Sequence, residues 1–260
     1  MSKFIEKLNS FSKKSTPAMG FRKSAEAVMQ PTILVAVEST GKSDEELKAL
    51  ADAGAAAAIV DSAGLTASAL TKCLKSCGNM VIGLLIASTK YANGAKLMTP
   101  DVDFIVFDLS LPVKAFDGKE FEAAGKILSV DSGLEASLLR TINDLYPSAN
   151  AVLIDLRVAP LTLQHLMNCR KVADFTGQHV IAQVHKTLTR AELMALRDSG
   201  VKSLVLPADT SAAELNKVVN DISELPAPEK KKDKSGIALV PRIEVQAAAK
   251  EDEGGDDDDD

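Results

Sequence analysis

A chain of 260 residues with 46% hydrophobic content is long enough to bury one large core. None of its apolar runs approaches the roughly 20 residues of a membrane span. The formal charge of −6 is concentrated: residues 250–260, KEDEGGDDDDD, hold eight acids and one lysine, a net of −7, which leaves the other 249 residues at +1. A near-neutral body gives nucleic acid no electrostatic footprint, and the acidic tail repels it.

The chain opens with MSKFIEKLNSFSKKS, which interleaves lysine with apolar residues where a signal peptide has an unbroken apolar core. The spacing predicts an amphipathic helix over 2–14, with Phe4, Ile5, Leu8 and Phe11 on one side. It is set to cover one end of the domain, membrane-surface binding being the lesser alternative. STPAMGFRKS then reads as a loop that leads into the first strand and leaves Arg22 near the bottom of the domain. Residues 1–30 form this N-terminal segment, and the expected location is cytoplasmic.

From Pro31 onward, β-rich apolar runs alternate with helical patterns. The runs are TILVAVE from Thr32, AAIVDS from Ala57, MVIGLLI from Met80, DFIVFDL from Asp103, KILSVDS from Lys126, AVLIDLR from Ala151, HVIAQVH from His179 and SLVLPAD from Ser203. Successive starts lie 23 to 28 residues apart, room for a strand, a short helix and two loops. Near-continuous apolar strands imply burial on both faces, as in a parallel sheet covered by helices. Eight units in residues 31–225 predict an α/β fold, a small (β/α)8 TIM-type barrel, with an open doubly wound sheet as the alternative.

Helix boundaries are partly written in the sequence. SDEELKALADAG pairs Ser43 with Glu46 at capping-box spacing, and TRAELMALRDSG pairs Thr189 with Glu192. SGLEASLLRTINDLYP offers Ser132 with Glu135 and ends before Pro147. The fourth connection, SLPVKAFDGKEFEAAG, contains Pro112 and Gly118 and shows no helical period, so an irregular loop with one helical turn is expected there.

The stretches ELKALADAGAAAAIVD, ELMALRDSGVKSLVLPAD and DVDFIVFDLS resemble the repeating unit of the phosphate-binding (β/α)8 barrels, in which a helix ending in Ala-Gly or Ser-Gly feeds the next buried strand. The resemblance covers residues 31–225 and implies a ligand site at the C-terminal rim. One departure counts against phosphate. The loops after strands seven and eight read HKTLTR and PADTSA, without the glycines of a phosphate cradle.

Beyond Leu225 the composition changes. PAPEKKKDKSG (226–236) is a linker, and IALVPRIEVQ begins an arm over 237–249 with Ile237, Leu239, Ile243 and Val245 at period two. A closed barrel offers no free edge, so this arm either meets another chain, as in a homo-oligomer, or is a tail with accidental alternation. Residues 250–260 read as a disordered acidic tail.

In a parallel barrel every strand delivers its C-terminal end to one rim, where active sites are built. Here those ends carry Glu38, Asp61, Asp108, Asp131, Asp155 and Asp209, with Lys90, Arg157, His185 and Lys186 at the same level. Asp61 and Asp131, each followed by serine, read as turn or cap residues, and Asp209 can be one too. The remainder are the candidates. Asp155 and Arg157 share a strand face, the arginine orienting a carboxylate or phosphate group. Of His185 and Lys186, which point oppositely, one faces the cavity. A desolvated Lys186 with a depressed pKa would suit Schiff-base or general-base work, and His185 a proton shuttle. A solvated loop before the Thr189 cap explains both equally well.

The catalytic candidates are therefore Lys186, His185 and Asp155, and the substrate-binding candidates are Arg157, Glu38 and Asp108. No cofactor is implied; Mg²⁺ on Glu38, Asp108 and Asp155 is only conceivable. Cys73, Cys77 and Cys169 read as buried packing in a reducing compartment. The expectation is a lyase or isomerase acting on a small anionic metabolite. The rival is a non-catalytic barrel serving as a scaffold or oligomeric assembly subunit.

Overall fold

Eight apolar runs of five or six residues form strands: β1 Leu34–Glu38, β2 Ala57–Asp61, β3 Val81–Ile86, β4 Phe104–Asp108, β5 Gly125–Val130, β6 Ala151–Leu156, β7 His179–Val184 and β8 Val201–Leu206. The computed structural model describes residues 2–13 and 32–226. Each strand pairs in parallel with its sequence neighbours, and β8 returns to β1 over Leu34↔Ser203 to Val37↔Leu206. That last pairing closes the cylinder and rules out the open sheet. One register shift, at Val180/Ile181 against Val201 and Ser203, bulges the β7–β8 seam.

Alternation sorts the strand residues into two cores. Val35, Val37, Ile82, Leu84, Ile105, Ile154 and their like point outward into the layer between sheet and helices. Leu34, Ala36, Ala57, Ile59, Phe104, Val106, Ile127, Leu153 and Ile181 point inward and fill the cylinder. Gly83 occupies an inward position because the Phe104 ring lies over it; a Cβ there would sit 2.1 Å from that ring.

The N-terminal helix, α1 (Lys3–Lys13), closes the barrel's lower end as its apolar stripe predicts. Phe4, Ile5 and Leu8 are buried in the inner core, and Phe4 stacks on Phe104 with ring centroids 4.9 Å apart. Asp103, just before β4, caps the helix: it accepts from Ser2 Oγ at 2.7 Å, Lys3 N at 2.7 Å and Phe4 N at 2.9 Å. Asn9 Oδ1 shares a 2.7 Å hydrogen bond with His179 Nε2 at the foot of β7.

The outer ring comprises α2 (Asp44–Asp52), α3 (Ala67–Ser76), α4 (Tyr91–Leu97), α5 (Glu120–Ala123), α6 (Ala136–Thr141), α7 (Leu163–Thr176), α8 (Arg190–Asp198) and α9 (Ala212–Ser223). The capping boxes at Ser43–Glu46 and Thr189–Glu192 form as read from sequence. Two others, Thr162–His165 and Ser211–Glu214, went unread. The Ser132–Glu135 box does not form. The Asp131 carboxylate takes the Gly133 N–H at 2.8 Å and Lys171 Nζ binds the carbonyls of Ser132 and Leu134, so α6 starts only at Ala136.

The fourth connection is a 3₁₀ turn (Val113–Phe116) followed by the single turn of α5, matching its lack of helical period. No helix among the described residues is long and apolar enough to cross a membrane. Cys77 and Cys169 are free and buried in the outer core, where burial pushes each thiol up to about 12. Arg22, the 226–236 linker beyond Pro226, the 237–249 arm and the acidic tail lie outside the described residues.

Candidate functional site at the C-terminal mouth

Glu38, Asp61 and Asp108 end their strands two residues beyond Ala36, Ile59 and Val106, and Asp155, next to last in β6, lies two beyond Leu153, so all four continue the inward-facing series up to the rim. Most of them do local work first. Asp61 accepts from Ala63 N, Asp108 from Ser110 N and Asp155 from Arg157 N, at 2.8, 2.8 and 3.0 Å. With Asp131 and Gly133, that makes one repeated turn device in which an aspartate at or beside the strand end binds the amide two residues on. The sequence-based turn assignment for Asp61 and Asp131 thus extends to Asp108.

Four side chains nevertheless converge. Arg157 grips Asp155 with a fork, Nε to Oδ1 at 3.0 Å and Nη2 to Oδ2 at 2.6 Å, and its Nη1 lies 3.9 Å from Glu38 Oε1. Gln183 Nε2 donates to the same Glu38 oxygen. The Asp155↔Gln183 register across β6 and β7 places the two at one level of the barrel. Glu38 is the inner member at 22% side-chain exposure, whereas Arg157 is half open at 50%. Hydrogen bonds from Arg157 hold the Asp155 carboxyl below the usual carboxylate range, and the same contacts raise the guanidinium. Gln183 was not singled out from the sequence; its inward position after Ile181 was the available signal.

His185 and Lys186 make no hydrogen bond or ion pair to this group among the described residues. The strand ends at Val184, and the two side chains take separate surroundings. Lys186 Nζ bonds Asp209 Oδ2 at 2.8 Å and lies 3.9 Å from Glu214, which links the loop after β7 to the loop after β8. The hydrogen bond to Asp209 raises the lysine pKa. The depressed value expected for a Schiff-base lysine is thereby corrected, because the ammonium is exposed and paired where the expectation needed it desolvated and unpaired. His185 Nδ1 shares a 3.3 Å hydrogen bond with Thr187 Oγ1, and its Nε2 is enclosed without a partner among the described residues. Asp209, the possible cap, serves Lys186 instead, and Ser211 caps α9.

Among the described residues, no three carboxylate, imidazole or thiol groups stand close enough to hold a metal ion, Glu38, Asp108 and Asp155 included. A large open cavity of about 840 Å³ lies at the opposite end of the barrel, beside α1 and α3. Its charged walls are Lys3, Lys7, Lys75, Lys96, Asp101 and Asp103. It gathers none of the candidate residues, and Asp103 is already committed to capping α1, so the mouth remains the better site.

No protein-family model matches the chain, and no curated protein does. Solved structures do. Tryptophan synthase from Mycobacterium tuberculosis superposes with a TM-score of 0.61 at 8% identity, covering 85% of this chain and 97% of that one. The tryptophan synthase alpha-subunit from Pyrococcus furiosus gives 0.58 at 15% identity, covering 76% and 100%. Homocysteine methyltransferase from Escherichia coli gives 0.55 at 12%, covering 73% and 96%. At such identities these likenesses show the fold alone: the chain is a (β/α)8 barrel.

Proposed function

We propose that this barrel binds a small anionic metabolite at its C-terminal mouth and carries out proton-transfer chemistry of lyase or isomerase type. The observation that supports this reading is the Arg157 fork. A half-exposed guanidinium rests on Asp155 beside Glu38, so an incoming carboxylate or phosphate can replace Asp155 on the fork without stranding a buried charge. Glu38, held by Gln183, then faces a hydrogen-bond donor of the same ligand.

The roles shift from those expected. Asp155 is a poor base because Arg157 stabilises its ionised form, so it positions the arginine. Lys186 is a poor nucleophile near neutrality because Asp209 stabilises its ammonium. Proton transfer falls to Glu38, the inner carboxylate of the group, since His185 meets Thr187 and its Nε2 is enclosed away from the fork. The solved structures that share the fold include enzymes by name, which agrees with this reading without selecting a substrate.

A scaffold or assembly barrel is the second reading, favoured by the turn hydrogen bonds that occupy Asp61, Asp108 and Asp131. Thermal-shift screening of small carboxylates and phosphate esters separates the two. The ligand reading expects at least one compound to raise the Tm of the native chain, with the shift abolished in Arg157→Gln. A panel without any response, or a shift that survives in both Arg157→Gln and Glu38→Gln, would remove the mouth as the site.

A further inference from the structure

The exposed large apolar side chains of the described residues all fall between Leu109 and Met167, on the three consecutive units around β4, β5 and β6. We propose that this flank is the surface through which two copies of the chain pair. The cause is visible in the shell. Where the other crossings lay a longer helix against the sheet, the β4–β5 crossing supplies a 3₁₀ turn and the four residues of α5. A cavity of about 220 Å³ therefore reaches down to Phe107 and Leu128, whose side chains belong to the outer core, and is bordered by Leu109, Val113, Leu145 and Tyr146. A second hollow of about 240 Å³ shares Phe116, Tyr146 and Pro147 with it, so the two adjoin.

Next to these hollows stand the projections. Tyr146 is 72% exposed at the groove edge, and Leu163 and Met167, 78% and 65% exposed, lie one turn apart on α7, which packs against α6. Taking the roughly 150–250 Å² of an aromatic side chain as the upper scale, Tyr146 and the seven aliphatic side chains expose at most roughly 1,000 Å² together. That area is comparable to the ~800 Å² that each partner contributes to a standard interface.

A second copy is the occupant these features fit. Projections and hollows lie on the same flank, so a two-fold axis sets each chain's Tyr146 against its partner's groove, as an isologous interface requires. The crossing that borders the groove carries both signs, Lys114 and Lys119 with Asp117, Glu120 and Glu122, so the flank can meet itself without one-sided repulsion. The test of this surface does not depend on any ligand.

Sedimentation velocity of the full chain between about 5 and about 100 µM reads the outcome directly, since pairing follows mass action. A species of twice the chain mass is expected to fill in with concentration. Tyr146→Glu and Met167→Glu should each weaken pairing at least tenfold with an unchanged thermal melt, because both side chains are exposed, and Tyr146→Phe should keep it. A single-chain mass at the top concentration, or a dimer that persists in both charged variants, overturns the proposal.

Discussion

Gln183 and Glu38 stand on β7 and β1, strands that do not pair with each other, and the Gln183 amide donates to the Glu38 carboxylate across the intervening β8. Arg157 on the far side of β7 reaches the same oxygen. Side chains from three strands therefore meet over the inner core, and only a closed cylinder brings them together. The candidate site rests on that chord, since it turns acids scattered along the sequence into one mouth.

The inner packing makes a direct prediction at Gly83. Its missing Cβ leaves room for the Phe104 ring, so Gly83→Ala should cost about 1–3 kcal/mol in urea denaturation through overpacking. Phe104→Leu is also destabilising, but the double variant should lose less than the sum of the two. Strict additivity would show that the ring does not fill the Gly83 position.

Asp103 should anchor α1. Replacing it by alanine removes three acceptor contacts at the helix start and should cost about 1–2 kcal/mol. The amides of Phe4, Ile5 and Leu8 should then lose hydrogen-exchange protection ahead of the strands. Unchanged protection would mean that apolar burial alone holds the plug.

How much of this was legible beforehand follows from what the signals encode. Strands burying both faces announce themselves as apolar runs, which is why β1 to β8 fall within two residues of their predicted starts. The irregular fourth crossing was equally plain from Pro112 and Gly118. Helix starts were less so: Ser132 and Glu135 carry a capping-box spacing, yet Asp131 and Lys171 compete for the same backbone, and Lys171 comes from 39 residues away. At the rim, Glu38 and Asp155 continue the inward alternation of Ala36 and Leu153, which the sequence alone did not assign to one face. Nothing local reveals that Lys186 meets Asp209, because that contact joins two loops. Gln183, an uncharged residue in an apolar run, gives no chemical signal until the barrel closes.

A pH dependence is expected from His179. Burial, with the nearby Lys202 charge, lowers its pKa below 6.5 in the folded chain, so the unfolded chain binds the proton more readily between the two values. Stability should accordingly rise with pH through that window and fall as the pH drops below 6.5. Comparing the Tm of the native chain and His179→Gln at about pH 7.5 and about pH 5 isolates the contribution, which should be larger in the native chain. Equal losses would place His179 in water.

Lys186 offers a spectroscopic check. Its ammonium, paired with Asp209, should titrate above the ordinary 10.5 in ¹³C-methyl-lysine NMR, and Asp209→Asn should bring it down. A value below 10.5 would restore it as a Schiff-base candidate.

The central claim is that ligand recognition takes place at the mouth, on Arg157 and Glu38. Amide and side-chain NMR of the native chain, titrated with whichever small anion raises its Tm, tests this most directly. The largest shifts should fall on the Arg157 Nε–H, the Gln183 side-chain amide and the residues following β1 and β6, and they should vanish in Arg157→Gln. Shifts confined to the α1 end or to the Leu109–Met167 flank, with the Arg157 Nε–H unmoved, would contradict the account.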